Sequence, residues 1–367
     1  MLDVKDLQRG NISRLIIYGE VDYVTRLRHY LQALYPSIDL HEVSFPLERD
    51  EPDKTEFILT SRDDLLAPLQ KDIPVLICFT RKWQEQAATH VQSKGFTRCL
   101  CFDADMDNTL KKAYLRKEFP RKFGSFKILA EMPDEHAPMS RSMMVYQVRN
   151  RGDKQQRKTL AAGQYVKTIQ TGCALTSEFV AQLRDDVGDN ISAHNPRYCE
   201  LTAFYWLWKH APEDFVGLCH YRRVFANVPD IARKLQTVDV DALLPMPTLF
   251  PETFMEGYFY RYMPEVWPIL LEVIKDMAPE YVAAADEVYN GRWQYGNNLC
   301  ILSRQVLNAY AGWLFPLLAE MEERVGDLPN PYRNRYIGFS AESLMTLYFL
   351  TNQENWRIAH VEKLFLG

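Results

Sequence analysis

Residues 188–225 read GDNISAHNPRYCELTAFYWLWKHAPEDFVGLCHYRRVF. The stretch opens on turn-forming and polar groups, Asp189, Asn190, Ser192, His194 and Asn195, followed by Pro196. The pattern predicts a compact aromatic helix over Tyr198 to Lys209 and a short apolar strand over Phe215 to Cys219. That strand delivers His220, Tyr221, Arg222 and Arg223 at its C-terminal end, where open α/β sheets bind their ligands. Two guanidiniums and an imidazole at such a place suit a diphosphate, because the planar fork of arginine matches phosphate oxygens. The plainer alternative makes Arg222 and Arg223 surface charges; their position after a strand favours the binding role. Tyr198, Phe204, Tyr205, Trp206 and Trp208 read as core, since large aromatics dominate cores.

Around this stretch lies a chain of 367 residues, long enough for two domains. Apolar residues at 47% and charged residues at 25% are those of a globular protein with ample core. A net charge of −5 gives no overall attraction to nucleic acid, and no nucleic-acid partner is expected. The seven cysteines lack zinc-type spacing, and their odd number sits poorly with a disulfide framework. The N-terminus, MLDVKDLQRG, lacks the apolar core of a signal peptide, and no apolar run approaches the ~20 residues that span a bilayer. The expected location is the cytoplasm.

Residues 1–106 read as a Rossmann-like domain of alternating strands and helices. Strands are expected at Arg14 to Gly19, Ile38 to Val43, Pro74 to Phe79 and Phe96 to Phe102, with helices over Val24 to Leu34 and Trp83 to Lys94. The first turn, Tyr18-Gly19-Glu20-Val21-Asp22-Tyr23, holds one glycine where a dinucleotide fingerprint needs three. Glu20 and Asp22 would also repel phosphates at the helix N-terminus. The domain is therefore read as degenerate, with a structural or docking role, and an NAD-dependent activity is disfavoured. Asp103-Ala104-Asp105 mimics a metal-binding Asp-x-Asp, which would hold a divalent cation against a diphosphate, but a solvated loop is the better reading. Asp239-Val240-Asp241 precedes its strand rather than following it. Neither pair is assigned a metal; dependence on manganese or magnesium stays open.

Residues 107–142 are expected to be a basic linker. Lys111 to Lys127 carries seven lysines and arginines against Glu118, interleaved with Tyr114, Leu115, Phe119, Phe123 and Phe126. It reads first as a solvated linker helix and second as a peripheral contact with an anionic leaflet, at the inner face of the inner membrane. The second domain, 143–367, begins with a strand at Met143 to Val148. Further elements are expected at Leu243 to Met246, Glu252 to Tyr262, Pro264 to Met277, Pro279 to Val288, Trp293 to Leu302, Gln305 to Val325 and Gly338 to Leu350. The loop Arg149 to Lys158 is strongly basic. Asn297 and Asn298 either hydrogen-bond sugar hydroxyls or shape a turn.

The central motif GDNIS…N…YCELTAFYWLWK…FVGLCHYRR resembles the bacterial glycosyltransferase-type family of capsule and lipopolysaccharide O-antigen gene clusters, long catalogued as a domain of unknown function (DUF4422-type). The resemblance runs from about Met143 to Phe349 and takes in Ile169 to Ala174, Tyr310 to Phe315 and Gly338 to Leu344. The chain departs from the family pattern at Gln147-Val148-Arg149, where a His-Lys pair is frequent, and at Tyr258 to Tyr262, where a histidine is frequent. The resemblance implies an α/β fold in which a GT-A-like mixed domain follows the Rossmann-like one. It also implies glycosyl transfer from a nucleotide sugar, a UDP-sugar first, to a saccharide acceptor of surface polysaccharide, with a lipid-linked acceptor one class. His220, Arg222 and Arg223 would hold the donor diphosphate, and Asn190, Ser192, Asn195, Asn297 and Asn298 the nucleoside or sugar. Glu342, matched to the family's GF-x-AE motif, is the first choice for a catalytic general base, and Asp189 the second. Glu200 reads as a buried polar anchor. The alternative function is a non-catalytic sugar-nucleotide- or polysaccharide-binding scaffold.

Overall fold

The computed structural model describes residues 12–45, 59–153, 163–259 and 264–366. The chain forms two compact units, residues 1–122 and 123–367. In the first, the elements run β1 (Arg14–Glu20), α1 (Val21–Leu34), β2 (Asp39–Phe45), β3 (Val75–Cys78), α2 (Arg81–Ser93), β4 (Cys99–Cys101) and α3 (Ala104–Phe123). The strands pair in parallel in the order β2-β1-β3-β4. The apolar run Leu15 to Tyr18 is buried throughout, as a central parallel strand covered on both faces requires. A Cβ added at Gly19 would lie 2.0 Å from the Cys78 carbonyl oxygen, so only glycine lets β1 and β3 approach this closely. Directly after it, Glu20 accepts a 2.7 Å hydrogen bond from the Thr80 N–H at the start of α2. A carboxylate of the chain itself thus occupies a helix N-terminus at the sheet edge.

Helix α3 begins where Asp103 accepts from the Met106 N–H at 2.8 Å, a capping bond that accounts for half of the Asp-x-Asp decoy. Met106, Leu110, Leu115 and Phe119 are buried, and Tyr114 packs against Tyr30 with ring centroids 5.1 Å apart. Much of the segment expected as a linker is therefore a packed helix. Its apolar side chains are turned inward, which leaves only its cations for any contact with a membrane surface.

The second unit continues with β5 (Met143–Arg149), β6 (Val166–Gln170), β7 (Leu183–Arg184), α4 (Leu201–His210), β8 (Phe215–Cys219), β9 (Arg223–Phe225) and α5 (Val228–Lys234). Then follow β10 (Ala242–Pro245), β11 (Thr248–Leu249), α6 (Trp267–Met277), α7 (Val282–Tyr289), β12 (Trp293–Gln294), β13 (Cys300–Ser303), α8 (Arg304–Val325), α9 (Tyr336–Thr351), β14 (Ile358–Val361) and β15 (Lys363–Phe365). Seven strands make one mixed sheet in the order β14-β10-β13-β8-β5-β6-β7. Only β13 runs antiparallel to its neighbours, so its start lies beside the C-terminal ends of β8 and β5. Two small ladders, β11 with β12 and β9 with β15, stand outside this sheet. The expected aromatic helix is divided: Asn195–Tyr198 form a separate turn, and α4 starts at Leu201. The expectation for Tyr262 lies outside the described residues, as do residues 154–158 of the loop 149–158.

His360 on β14 is fully buried, stacked on Phe126 with ring centroids 4.5 Å apart. Its Nε2 lies 2.8 Å from the Tyr295 hydroxyl and its Nδ1 3.1 Å from the Lys127 carbonyl. An Nδ1–H tautomer satisfies both, and burial pushes the imidazole pKa down to about 4. The folded state therefore binds this proton less readily than the unfolded chain. Stability of this unit should be unaffected by His360 above pH ~6.5 and fall by about 3 kcal/mol as the pH drops from there to about 4. Urea unfolding followed against pH checks this, and His360→Gln should flatten that slope.

Candidate functional site

A cavity of about 570 Å³ opens at the edge of the seven-stranded sheet where β5, β6 and β8 end and β13 begins. Its walls carry Asn150 and Asp153 after β5, Thr171 after β6, His220 to Arg223 after β8, and Asn297 before β13. The turn before α4 adds Asn195, Cys199 and Glu200, and the start of α9 adds Arg335, Gly338, Phe339 and Glu342. The volume falls in the range of small-molecule sites.

The cations are held by their own backbone. The His220 N–H donates to the Arg223 carbonyl at 2.9 Å, closing a tight turn at the end of β8. Arg223 begins β9 and pairs with Phe365 of β15, while the Leu366 N–H donates to the Arg222 carbonyl at 2.8 Å. The Arg222 guanidinium lies 5.0 Å from the Tyr221 ring centroid and 5.5 Å from that of Phe365. Aromatic faces thus flank it without neutralising it. Gln147 on β5 donates to the Tyr221 carbonyl at 3.2 Å and accepts from Arg149 at 3.2 Å. It braces this turn from β5.

The same cavity holds two carboxylates in contrasting surroundings. Glu200 Oε1 accepts from the Asn298 amide at 2.7 Å and lies 3.5 Å from His220 Nε2. Burial alone would raise the Glu200 carboxyl; the His220 imidazole and the Asn298 amide together hold it below the usual glutamate range. Glu342 is raised, first by burial and then by the Glu200 charge, against an opposing hydrogen bond from the Asn297 backbone. The two carboxylates are thus pushed in opposite directions, Glu200 towards its ionised form and Glu342 towards its protonated one.

The backbone is strained where it supports them. Cys199 has φ 52° and ψ −127°, a conformation that side chains disfavour, between the Asn195–Tyr198 turn and α4. Asn195 fixes it by donating to the Cys199 carbonyl at 2.7 Å. Burial pushes the Cys199 thiol up to about 11, and its sulfur accepts from Arg335 Nε at 3.2 Å. Asn297 and Asn298 are both left-handed, with φ 69° and 48°. Their turn aims one residue into the cavity and the other beneath it.

Of the residues expected from sequence, His220, Arg222, Arg223, Asn195, Asn297 and Glu342 meet on this cavity. Four others do not line it. Asp189 accepts from the Tyr205 hydroxyl at 3.1 Å and lies 3.8 Å from Lys209, on the outer side of α4. Asn190 closes a local turn with Gly188 and Ser192. Ser192 is buried, donating to Asp185 and accepting from the Ala174 N–H. Asn298 sits under the cavity, joined to Glu200 and to the Gly338 carbonyl. Sequence reasoning missed Arg335, Asp153, Tyr332 and Phe339 as wall residues and placed Glu200 only as an anchor. The sole sequence signal for Arg335 was its place just ahead of the GFSAES stretch. Asp239 and Asp241 pair with Arg141 and Arg357, which accounts for the second Asp-x-Asp decoy. Among the described residues no group of three or more His, Cys, Asp or Glu is arranged to hold a metal ion, and none forms a helix long and apolar enough to cross a membrane.

A family model described as a domain of unknown function, DUF4422, matches residues 154–353, more than half of the chain. No curated protein matches it. A solved apo structure of the WbbM bifunctional glycosyltransferase is similar, with a TM-score of 0.51 and 23% identity, over 62% of this chain and 45% of that one. The chain thus spans less than half the length of that protein. The likeness is one of fold, a mixed α/β architecture of the GT-A type.

Removing the Glu200 carboxylate would leave the His220 imidazole and the Asn298 amide without their buried partner. Glu200→Ala should therefore lower unfolding free energy by about 2–4 kcal/mol in urea titrations, and Glu200→Gln by less.

Proposed function

Because the chain belongs to the family described as a domain of unknown function, DUF4422, and carries this cavity, we propose that it is a glycosyltransferase. It moves a hexosyl group from a nucleotide sugar, a UDP-sugar first, to a saccharide acceptor in capsule or lipopolysaccharide O-antigen assembly. The observation that carries the reading is the convergence of His220, Arg222 and Arg223 at the end of β8 with Glu342 and Glu200 on one cavity. The solved relative's fold and its description as a glycosyltransferase support it.

The roles follow from charge. The bond from the anomeric carbon to the diphosphate breaks, and its electron pair stays on the diphosphate. Arg222, Arg223 and His220 receive that developing negative charge; preorganised cations at such a point are typically the largest catalytic effect. The acceptor oxygen forms the new bond to the anomeric carbon, and in an inverting transfer its proton passes to Glu342. A carboxylate with a raised pKa is the better base of the two, while Glu200 stays ionised and positions His220. Asn195, which holds the Cys199 backbone, is given a positioning role, and Asn297 on the cavity wall is assigned to the sugar. With a lipid-linked acceptor the protein would work in the cytoplasm at the inner face of the inner membrane. The cations of α3 then supply electrostatic attraction to an anionic leaflet.

Arg222→Ala should weaken binding of UDP by about tenfold or more, read by calorimetry and as a lost thermal shift with UDP-sugars. Shifts that survive the substitution would remove this cluster from the site. The base has to be ionised to act, so kcat/KM should rise with pH through a pKa above the ordinary glutamate range. Glu342→Gln should abolish that limb and cost about 10²–10⁴ in rate with donor binding retained. Donor binding without transfer in wild type would favour the scaffold reading instead.

A further inference from the structure

The cavity has one wall that the donor chemistry leaves unused. Tyr332 lies on it and is 49% exposed, more than any other aromatic ring there. Phe339, half-buried on the first turn of α9, sits beside it with ring centroids 5.5 Å apart and planes tilted by 52°. The Arg335 guanidinium lies 5.3 Å from the Phe339 ring, which helps hold that ring in place. Phe339 and Glu342 are three residues apart on α9, so ring and carboxylate share one face of the helix and both reach the cavity.

This juxtaposition decides what the rings are for. A nucleotide sugar has its diphosphate between the nucleoside and the transferred sugar, so those two parts leave the cations in opposite directions. The reacting carbon must lie towards Glu342, which places the acceptor on the same side, against the α9 wall. The C–H face of a pyranose carries slightly positive hydrogens and fits the negative face of an aromatic ring. We propose that Tyr332 and Phe339 form the platform on which the acceptor saccharide lies, with its attacking hydroxyl turned to Glu342. The proposal rests on the glycosyl-transfer reading, and it makes the two rings specificity-determining residues for the acceptor.

The test separates the two halves of the site. Saturation-transfer NMR with a panel of methyl glycosides (galactoside, glucoside, mannoside and N-acetylglucosaminide) is run on the full chain with UDP present. UDP binding is measured apart by calorimetry. At least one glycoside should show saturation of its ring protons on wild type. That signal should be lost, or binding weakened about tenfold, in Tyr332→Ala and in Phe339→Leu, while Tyr332→Phe retains it. UDP affinity should stay the same in all three variants. Tyr332→Ala lies at an exposed position and Phe339→Leu keeps apolar volume, so thermal melting should confirm that both fold. No glycoside signal on wild type, or a signal unchanged in both ring variants, overturns the platform. A loss of UDP affinity in Tyr332→Ala with the glycoside signal intact also overturns it and assigns the rings to the nucleobase. A wild type that takes up glycoside but no UDP sinks the transfer reading while the platform stands.

Discussion

The cavity edge of the second unit is organised around one half-buried carboxylate, Glu200. Glu200 ties the start of α4 to the end of β8 through His220 and to the start of β13 through Asn298. The same amide reaches the Gly338 carbonyl in α9, so a single side-chain network joins four elements at one sheet edge. A lone carboxylate at that depth would be costly; an imidazole, an amide and the N-terminal end of α4 compensate it. Glu342 in the same cavity is raised chiefly by its own burial, and the Glu200 charge adds to that shift.

The edge is also where the backbone carries its strain. Cys199, Asn297 and Asn298 all hold positive φ around this cavity, against Asn227 as the one further non-glycine example among the described residues. The tight packing of β8 has a similar origin. A Cβ on Gly217 would meet Val145 at 2.9 Å and Ile301 at 3.0 Å, so glycine lets the flanking strands close over β8 and fix where its cations emerge. Strain held by surrounding structure gives each wall residue one position, which an electrostatic site requires.

What could be read in advance followed from range along the chain. Strand β8 and the cations after it were legible because an apolar run followed by HYRR is a local pattern, complete within nine residues, Phe215 to Arg223. Glu342 was legible only through resemblance. The pairing of Arg335 with Cys199 spans 136 residues and that of Asn298 with Glu200 spans 98, distances across which periodicity carries no information. Asp189 and Asn190 were placed in the site because a polar turn reads alike whichever way it faces. The aromatic face of α4 settles the matter by drawing Asp189 to Tyr205. Cys199 was hidden for another reason: nothing in YCELT signals a positive φ, so one helix was expected where a turn and a helix meet.

The two units show why a parallel sheet edge does not by itself make a binding site. In the first, β1 ends in Gly19-Glu20, and the carboxylate turns to the start of α2 and uses the N–H that an anion would need. In the second, β8 ends in His220 to Arg223, and the turn closes on its own backbone, leaving the side chains to face the cavity. Both ends belong to strands with buried apolar runs. The sign of the charge after the strand decides between them. An acidic end satisfies its neighbour from within and closes the edge, whereas at the basic end His220 turns to Glu200 and the two guanidiniums line the cavity. The antiparallel β13 then adds what a wholly parallel edge lacks, because the turn before it brings Asn297 to the cavity, where the Asn297 backbone hydrogen-bonds Glu342. Asn297 and the basic side chains come from strands of opposite direction, and they meet at one edge because the sheet is mixed.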